Sequence, residues 1–182
     1  DWRALGIRPA DILIPKPEYL NSNWPVVALD QYTSQPEIWR EAERRINGHP
    51  STLRLVVPEA FLEETQERSR QVYQAMEDYL NRDLFTALKN SFVLVERQTQ
   101  SGKRVGLVVT IDLEEYDYAP DSSSLIRATE QTVLERIPPR LLVREQSALE
   151  VSHVMVLLDD EEDSVLGPLY ARRGDLKQVY GI

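Results

Sequence analysis

The apolar positions of this chain fall into dense short runs and one long periodic stretch. The run "DILIP" at 11–15, closed by Pro15 and Pro17, predicts a short strand or extended arm. "PVVALD" at 25–30 predicts a strand that ends in a polar turn. After it, Ser34 and Glu37 have capping-box spacing, Pro36 suits a first helical turn, and Gly48 suits a helix stop. "TLRLVVP" at 52–58 predicts a second strand. From Pro58 the period changes. Val72, Tyr73, Met76, Tyr79 and Leu80 share one helical stripe, while Glu63, Glu67, Arg70, Gln74 and Asp78 take the opposite face. A break is expected near Asn81, and Leu84, Phe85 and Leu88 continue the apolar pattern beyond it.

Two further apolar runs flank "QSGK" and predict an antiparallel hairpin turning at Ser101-Gly102. Its second strand is apolar for most of its length, which predicts a central place in the sheet. An acidic, aromatic loop follows, "EEYDYAPDSSS". "SLIRATEQTVLERIPPRLLVRE" (124–145) then predicts a helix running up to a Pro138-Pro139 turn, and "HVMVLLDDEED" (153–163) another strand. The fold class expected is α/β or α+β: a mixed sheet with a β-hairpin at about 91–113 and flanking helices.

Composition narrows this. The 182 residues suit a single domain over 1–182 that buries its own core. The start without Met and the apolar end, "QVYGI", predict that this is the N-terminal portion of a longer protein. There is no cysteine, which removes disulfides, thiolate nucleophiles and Cys-type zinc sites, and agrees with a cytoplasmic home. A net charge of −9 argues against a nucleic-acid partner, since phosphates need a basic face. No run approaches the roughly 20 apolar residues that span a bilayer, so no membrane partner is expected.

Several chemistries are missing. The seven glycines form neither a dinucleotide fingerprint nor a P-loop, and no GxSxG elbow occurs. His49 and His153 sit far apart in sequence, outside any HExxH. The acidic runs 112–118 and 159–163 lack EF-hand spacing, so no metal site is expected.

Two places could carry chemistry. The first is Asp30, Tyr32, Thr33 and Ser34, expected at a strand's carboxyl end just before a helix, where free N–H groups suit a phosphate or carboxylate. A plain helix cap with Tyr32 in packing is the competing reading. The second is 124–145. On a helix, Glu130 would lie beside the apolar stripe of Ile126, Val133, Leu134 and Ile137, three residues after Arg127. Such a pair is either a structural ion pair or a tuned acid–base group. Arg136, Arg140 and Arg144 would then line an anion site or join an interior Arg–Glu network.

Taken in order, "DILIPK", "VVALDQYTSQPEIW", "HPSTLRLVVPE", "SFVLVERQTQSGKRVGLVVTIDLEEYDY" and "SLIRATEQTVLERIPPR" followed by "HVMVLLDD" resemble an uncharacterised bacterial domain-of-unknown-function family, DUF ten-fifteen, over nearly the whole chain. Members of that family are about twice this length. Their second half carries an Asp-Gly-His/Asn-His motif similar to the phosphate-contacting signature of the ParB/sulfiredoxin-like superfamily, and this chain has no Asp-Gly pair. The resemblance implies nucleotide binding, with Mg²⁺ as companion and phosphotransfer to a small hydroxylated metabolite such as serine as the activity. Asp30 or Glu130 would then act as base or metal ligand, with Tyr32, Thr33, Ser34, Arg127, Arg136 and Arg140 as ligand contacts. The alternative is a non-enzymatic binding or regulatory module, in which Glu130 and Arg127 serve stability alone.

Overall fold

A computed structural model of the chain describes residues 2–20, 23–25, 28–117, 119–128 and 132–179, with the backbone alone at 2 and 3. Strands β1 (Ile7–Arg8), β2 (Ala10–Pro15), β3 (Phe85–Ser91), β4 (Val93–Thr99), β5 (Gly102–Val108), β6 (Thr110–Ile111), β7 (Tyr116–Asp117) and β8 (Ile126–Arg127) are interspersed with helices α1 (Pro36–Ile46), α2 (Thr65–Asn81), α3 (Ile137–Arg144) and α4 (Leu166–Ala171). The fold is thus mixed α/β. Among the described residues the strands associate in twos: β1 with β6, β2 with β3, β4 with β5 and β7 with β8. The chain divides into two compact units. One comprises 1–12, 87–129 and 155–182, the other 13–86 and 130–154.

The first unit holds the expected hairpin. Thr99 pairs with Gly102 across a two-residue turn, and the ladder runs back to Val93 opposite Val108. β5 is not central, since among the described residues its sheet has two strands; its apolar residues fill one small ladder. β1 and β6 pair antiparallel, and Arg8 meets Asp112 at 2.8 Å. The Arg8 guanidinium and the Glu114 N–H hold the Asp112 carboxyl below its usual range. Ile126–Arg127, expected to be helical, forms β8, parallel to β7.

The second unit holds every fully buried apolar side chain among the described residues, with Trp39, Phe61, Met76, Tyr79 and Leu84 the largest. α2 supplies much of this core. Val72, Met76 and Tyr79 are buried as the stripe requires, and Leu80 at its margin is exposed. Tyr79 packs against the rings of Trp24 and Phe85. Arg68 stacks 3.6 Å from the centre of the Phe61 ring, held by Glu43 and Glu64. Burial pulls the Arg68 pKa down, but the two carboxylates outweigh it and leave it above the ordinary value.

Other expectations fail here for identifiable reasons. Ala28–Asp30 is a turn, closed by the Gln31 N–H on the Ala28 carbonyl; Val26 and Val27 lie outside the described residues. The 52–58 run is not a strand. Thr52–Leu55 coils as a 3-10 helix, and Val56–Pro58 continue extended, which buries Leu53, Leu55, Val56 and Val57 together. Short apolar runs do not distinguish these states by periodicity. The capping box is unmade, because Gln35 occupies the N-cap and makes no side-chain bond, with Pro36 opening α1. The break near Asn81 is as expected, since α2 ends there, and the apolar pattern beyond it leads into strand β3. The 153–163 run is irregular and exposed, because no strand pairs with it among the described residues.

The stop at the end of α1 is as expected, with Asn47 (φ 41°) and Gly48 (φ 78°) both left-handed. A side chain at Gly48 would find open space, so its backbone conformation alone should oppose substitution. Gly48→Ala is expected to cost about 1 kcal/mol in urea unfolding, with the slope unchanged.

Candidate functional site

The second unit encloses a cleft of about 610 Å³. Its floor follows from the buried 3-10 turn at 52–55. Ser51 caps that turn by accepting the Leu53 N–H. Tyr79 fixes Ser51 in turn: its hydroxyl accepts the Ser51 N–H at 2.8 Å and donates to the Ser51 carbonyl at 3.2 Å. Burial raises the Tyr79 pKa, and the bond to Ser51 only partly offsets that, so the hydroxyl stays a donor. The preceding loop is tied alongside. The Thr52 N–H bonds the Trp24 carbonyl, and the Glu59 N–H bonds the Leu29 carbonyl, both at 2.9 Å. These bonds bring Asp30 to the same cleft as Glu59.

The opposite wall is α3. Its start is unlike the sequence expectation: Pro138 and Pro139 open this helix, whereas the pattern predicted a helix ending there. Proline lacks an N–H, and a helix's first turn has no intrahelical partner for one, so two prolines fit there without loss. The consequence is positional. Arg136 precedes α3, and Arg140 lies in it, one turn further along. Both reach Glu59, Arg136 at 3.0 Å from Oε2 and Arg140 at 2.5 Å from Oε1. The Glu59 side chain is only 7% exposed. Its Oε2 is ion-paired with Arg136, yet that contact is off the hydrogen-bonding direction, so Oε2 accepts no hydrogen bond. Further along, Arg144 pairs with Glu150 at 3.1 Å and donates to the Ser152 carbonyl, which draws 149–153 against α3. The Tyr73 hydroxyl donates to the Leu142 carbonyl and joins α3 to α2.

The cleft therefore has a charged margin at Glu59 and Arg140, with Arg136 paired to Glu59 from outside the lining, and apolar walls that include Leu55, Val57, Met76, Val143 and Val151. Asp30 and His153 also line it. Within the Glu59 trio, two guanidiniums against one carboxylate leave an excess positive charge and unspent N–H donors, beside which the cleft also carries Asp30 and the Arg144–Glu150 pair.

The sequence-predicted residues divide. Asp30, Arg140 and Arg144 line the cleft, and Arg136 joins it through Glu59. Tyr32 (φ 54°), Thr33 and Ser34 occupy an exposed turn braced by the Trp39 indole N–H on the Gln31 carbonyl, and do not line it. Arg127 belongs to the other unit, in β8. Glu130 lies outside the described residues. Glu59 is the residue that sequence reasoning missed. Its one signal was a carboxylate at the first turn after "VVP", in an apolar setting where a charge is costly without a partner.

The family model described as "Protein of unknown function (DUF1015)" matches residues 7–178. The chain belongs to this family. The match spans both units, so the cleft and the hairpin are parts of one family domain. No curated protein and no solved structure matches the chain. Among the described residues no helix is long and apolar enough to cross a membrane, and no three acidic or histidine side chains are grouped to hold a metal ion.

Proposed function

We propose that the cleft binds a nucleoside phosphate, with the phosphate end at Arg136 and Arg140 and the base against the apolar walls. The observation that carries this reading is the shared carboxylate. Glu59 is nearly buried and holds two half-exposed guanidiniums, Arg140 at the cleft margin and Arg136 beside it on the same carboxylate, which supports a reading of charged, pre-oriented donors for an anion. Apolar walls with a few placed polar groups are the common form of a small-molecule site. Phosphoryl transfer asks mainly for positioning and cationic stabilisation, so these arginines and a nucleotide-borne Mg²⁺ suit it. Asp30 and His153 line the cleft without an ion pair among the described residues, unlike Glu59 and Glu150, which suits them to take a proton from the hydroxyl of an acceptor such as serine. On this reading the protein works where nucleotides are abundant, in the cytoplasm.

A second reading rests on the same pairing. If Glu59 uses both arginines only to fasten α3, the unit is a non-enzymatic binding module whose ligand does not need them. Calorimetry with ATP, ADP and CTP plus Mg²⁺ separates the two. Nucleotide binding is expected, weakened roughly tenfold or more in Arg140→Ala by loss of a charge-assisted contact. No heat at millimolar nucleotide would sink the first reading. Equal affinity in a folded Arg140→Ala variant would favour the second.

A further inference from the structure

The hairpin of the first unit has two unlike faces. Side chains alternate along a strand, so Glu96 and Lys103 share one face, and Arg97 and Arg104 the other. α4 lies on the first face. Tyr170 meets Lys103 there, and Arg173 stacks on the Tyr170 ring at 4.2 Å. On the second face Arg97 stands directly opposite Arg104. Like charges so placed repel, and neither arginine has an ion pair among the described residues. The next pair along that face is Val95 opposite Gly106. Val95 is 44% exposed, and a Cβ added at Gly106 would meet nothing within 4 Å. The face thus offers a shallow apolar seat beside two unneutralised guanidiniums.

The same unit displays the matching shape. Met155, Val156, Leu157 and Leu158 are exposed in succession, Met155 at 82% and Leu157 at 78%. Such a run on a surface needs a functional reason. It leads into "DDEED", where Asp160 and Asp163 are used locally, Asp160 accepting from Ser164 and Val165, and Asp163 from Gly167. Asp159, Glu161 and Glu162 have no such bond among the described residues.

We propose that Met155–Glu162 of one copy docks on the Val95/Gly106 and Arg97/Arg104 face of a second copy. The aliphatic residues take the seat, and the free carboxylates neutralise the arginine pair. With a net charge of −9, copies of this chain repel one another overall, so a local opposite-charge contact is what would bring them together. If a two-fold axis closes the contact, each copy gives its segment and receives the other's.

Sedimentation equilibrium of the chain tests this. A dimer is expected at about 0.15 M salt, where the long-range repulsion between copies is screened beyond roughly 8 Å and the close opposite-charge contact is screened less. Arg97→Glu with Arg104→Glu should give a monomer with unchanged circular dichroism. Adding Asp159→Lys, Glu161→Lys and Glu162→Lys to that variant should restore association. Should the arginine variant lose its fold, Met155→Ser with Leu157→Ser in the exposed run offers the parallel monomer. A monomer at every concentration overturns the proposal. So does an association that survives reversal of the arginines, or one that the compensating lysines do not restore.

Discussion

Tyr79→Ala is expected to cost about 3–5 kcal/mol, as removal of a large core aromatic does. That is a large fraction of the roughly 5–15 kcal/mol that holds a typical domain folded. Tyr79 is 1% exposed and touches the Trp24 and Phe85 rings, so its loss leaves a cavity beside both rings. Tyr79→Phe isolates the other half of the role. The ring stays, but the buried Ser51 N–H loses its partner, while the Ser51 carbonyl keeps the Arg54 N–H, at a cost of about 1–3 kcal/mol. Denaturant titration should show the midpoint falling in the order wild type, Phe, Ala. Leu80→Ala, one residue on and 40% exposed, should stay within about 0.5 kcal/mol of wild type. If Phe and wild type unfold together, the hydroxyl is not what holds the Thr52–Leu55 turn. The prediction also reaches the cleft, since Ser51 caps that turn and the turn forms the cleft floor.

What the sequence could and could not show follows from how far each element's causes extend. α2 and the hairpin were legible because their signals are local: a helical stripe in one, two runs about a Gly-containing turn in the other. The 52–58 and 153–163 runs have the same dense apolar look, yet one is a buried 3-10 turn and the other is exposed. Nothing within either run says whether a strand waits to pair with it. The Pro138-Pro139 pair does not give the polarity of its helix, because two prolines suit the start of a helix as well as the residues after one. Most of the site was illegible for the same reason. Arg136 and Arg140 were visible as candidates, but their carboxylate stands 81 positions from Arg140. Local spacing offered Glu130 instead, and only tertiary structure supplies Glu59.

That carboxylate gives the largest expected effect at the site. Removing both guanidiniums, as Arg136→Ala with Arg140→Ala, strands a nearly buried charge and is expected to destabilise by about 3–5 kcal/mol at neutral pH. Adding Glu59→Leu to that pair should recover most of the loss, because the uncompensated charge goes with it. Glu59→Leu alone should cost less than the double arginine change, since the freed guanidiniums are half exposed and water takes over. The three measurements form a cycle, and a coupling of at least about 1 kcal/mol is expected from groups in direct contact. Additive losses would mean that Glu59 is solvated without its partners. The cycle also sorts the two functional readings. The variant lacking all three side chains regains its fold but has no charged margin. A nucleoside phosphate held by the arginines must then be lost from a stable protein, whereas a ligand held by the apolar walls must stay.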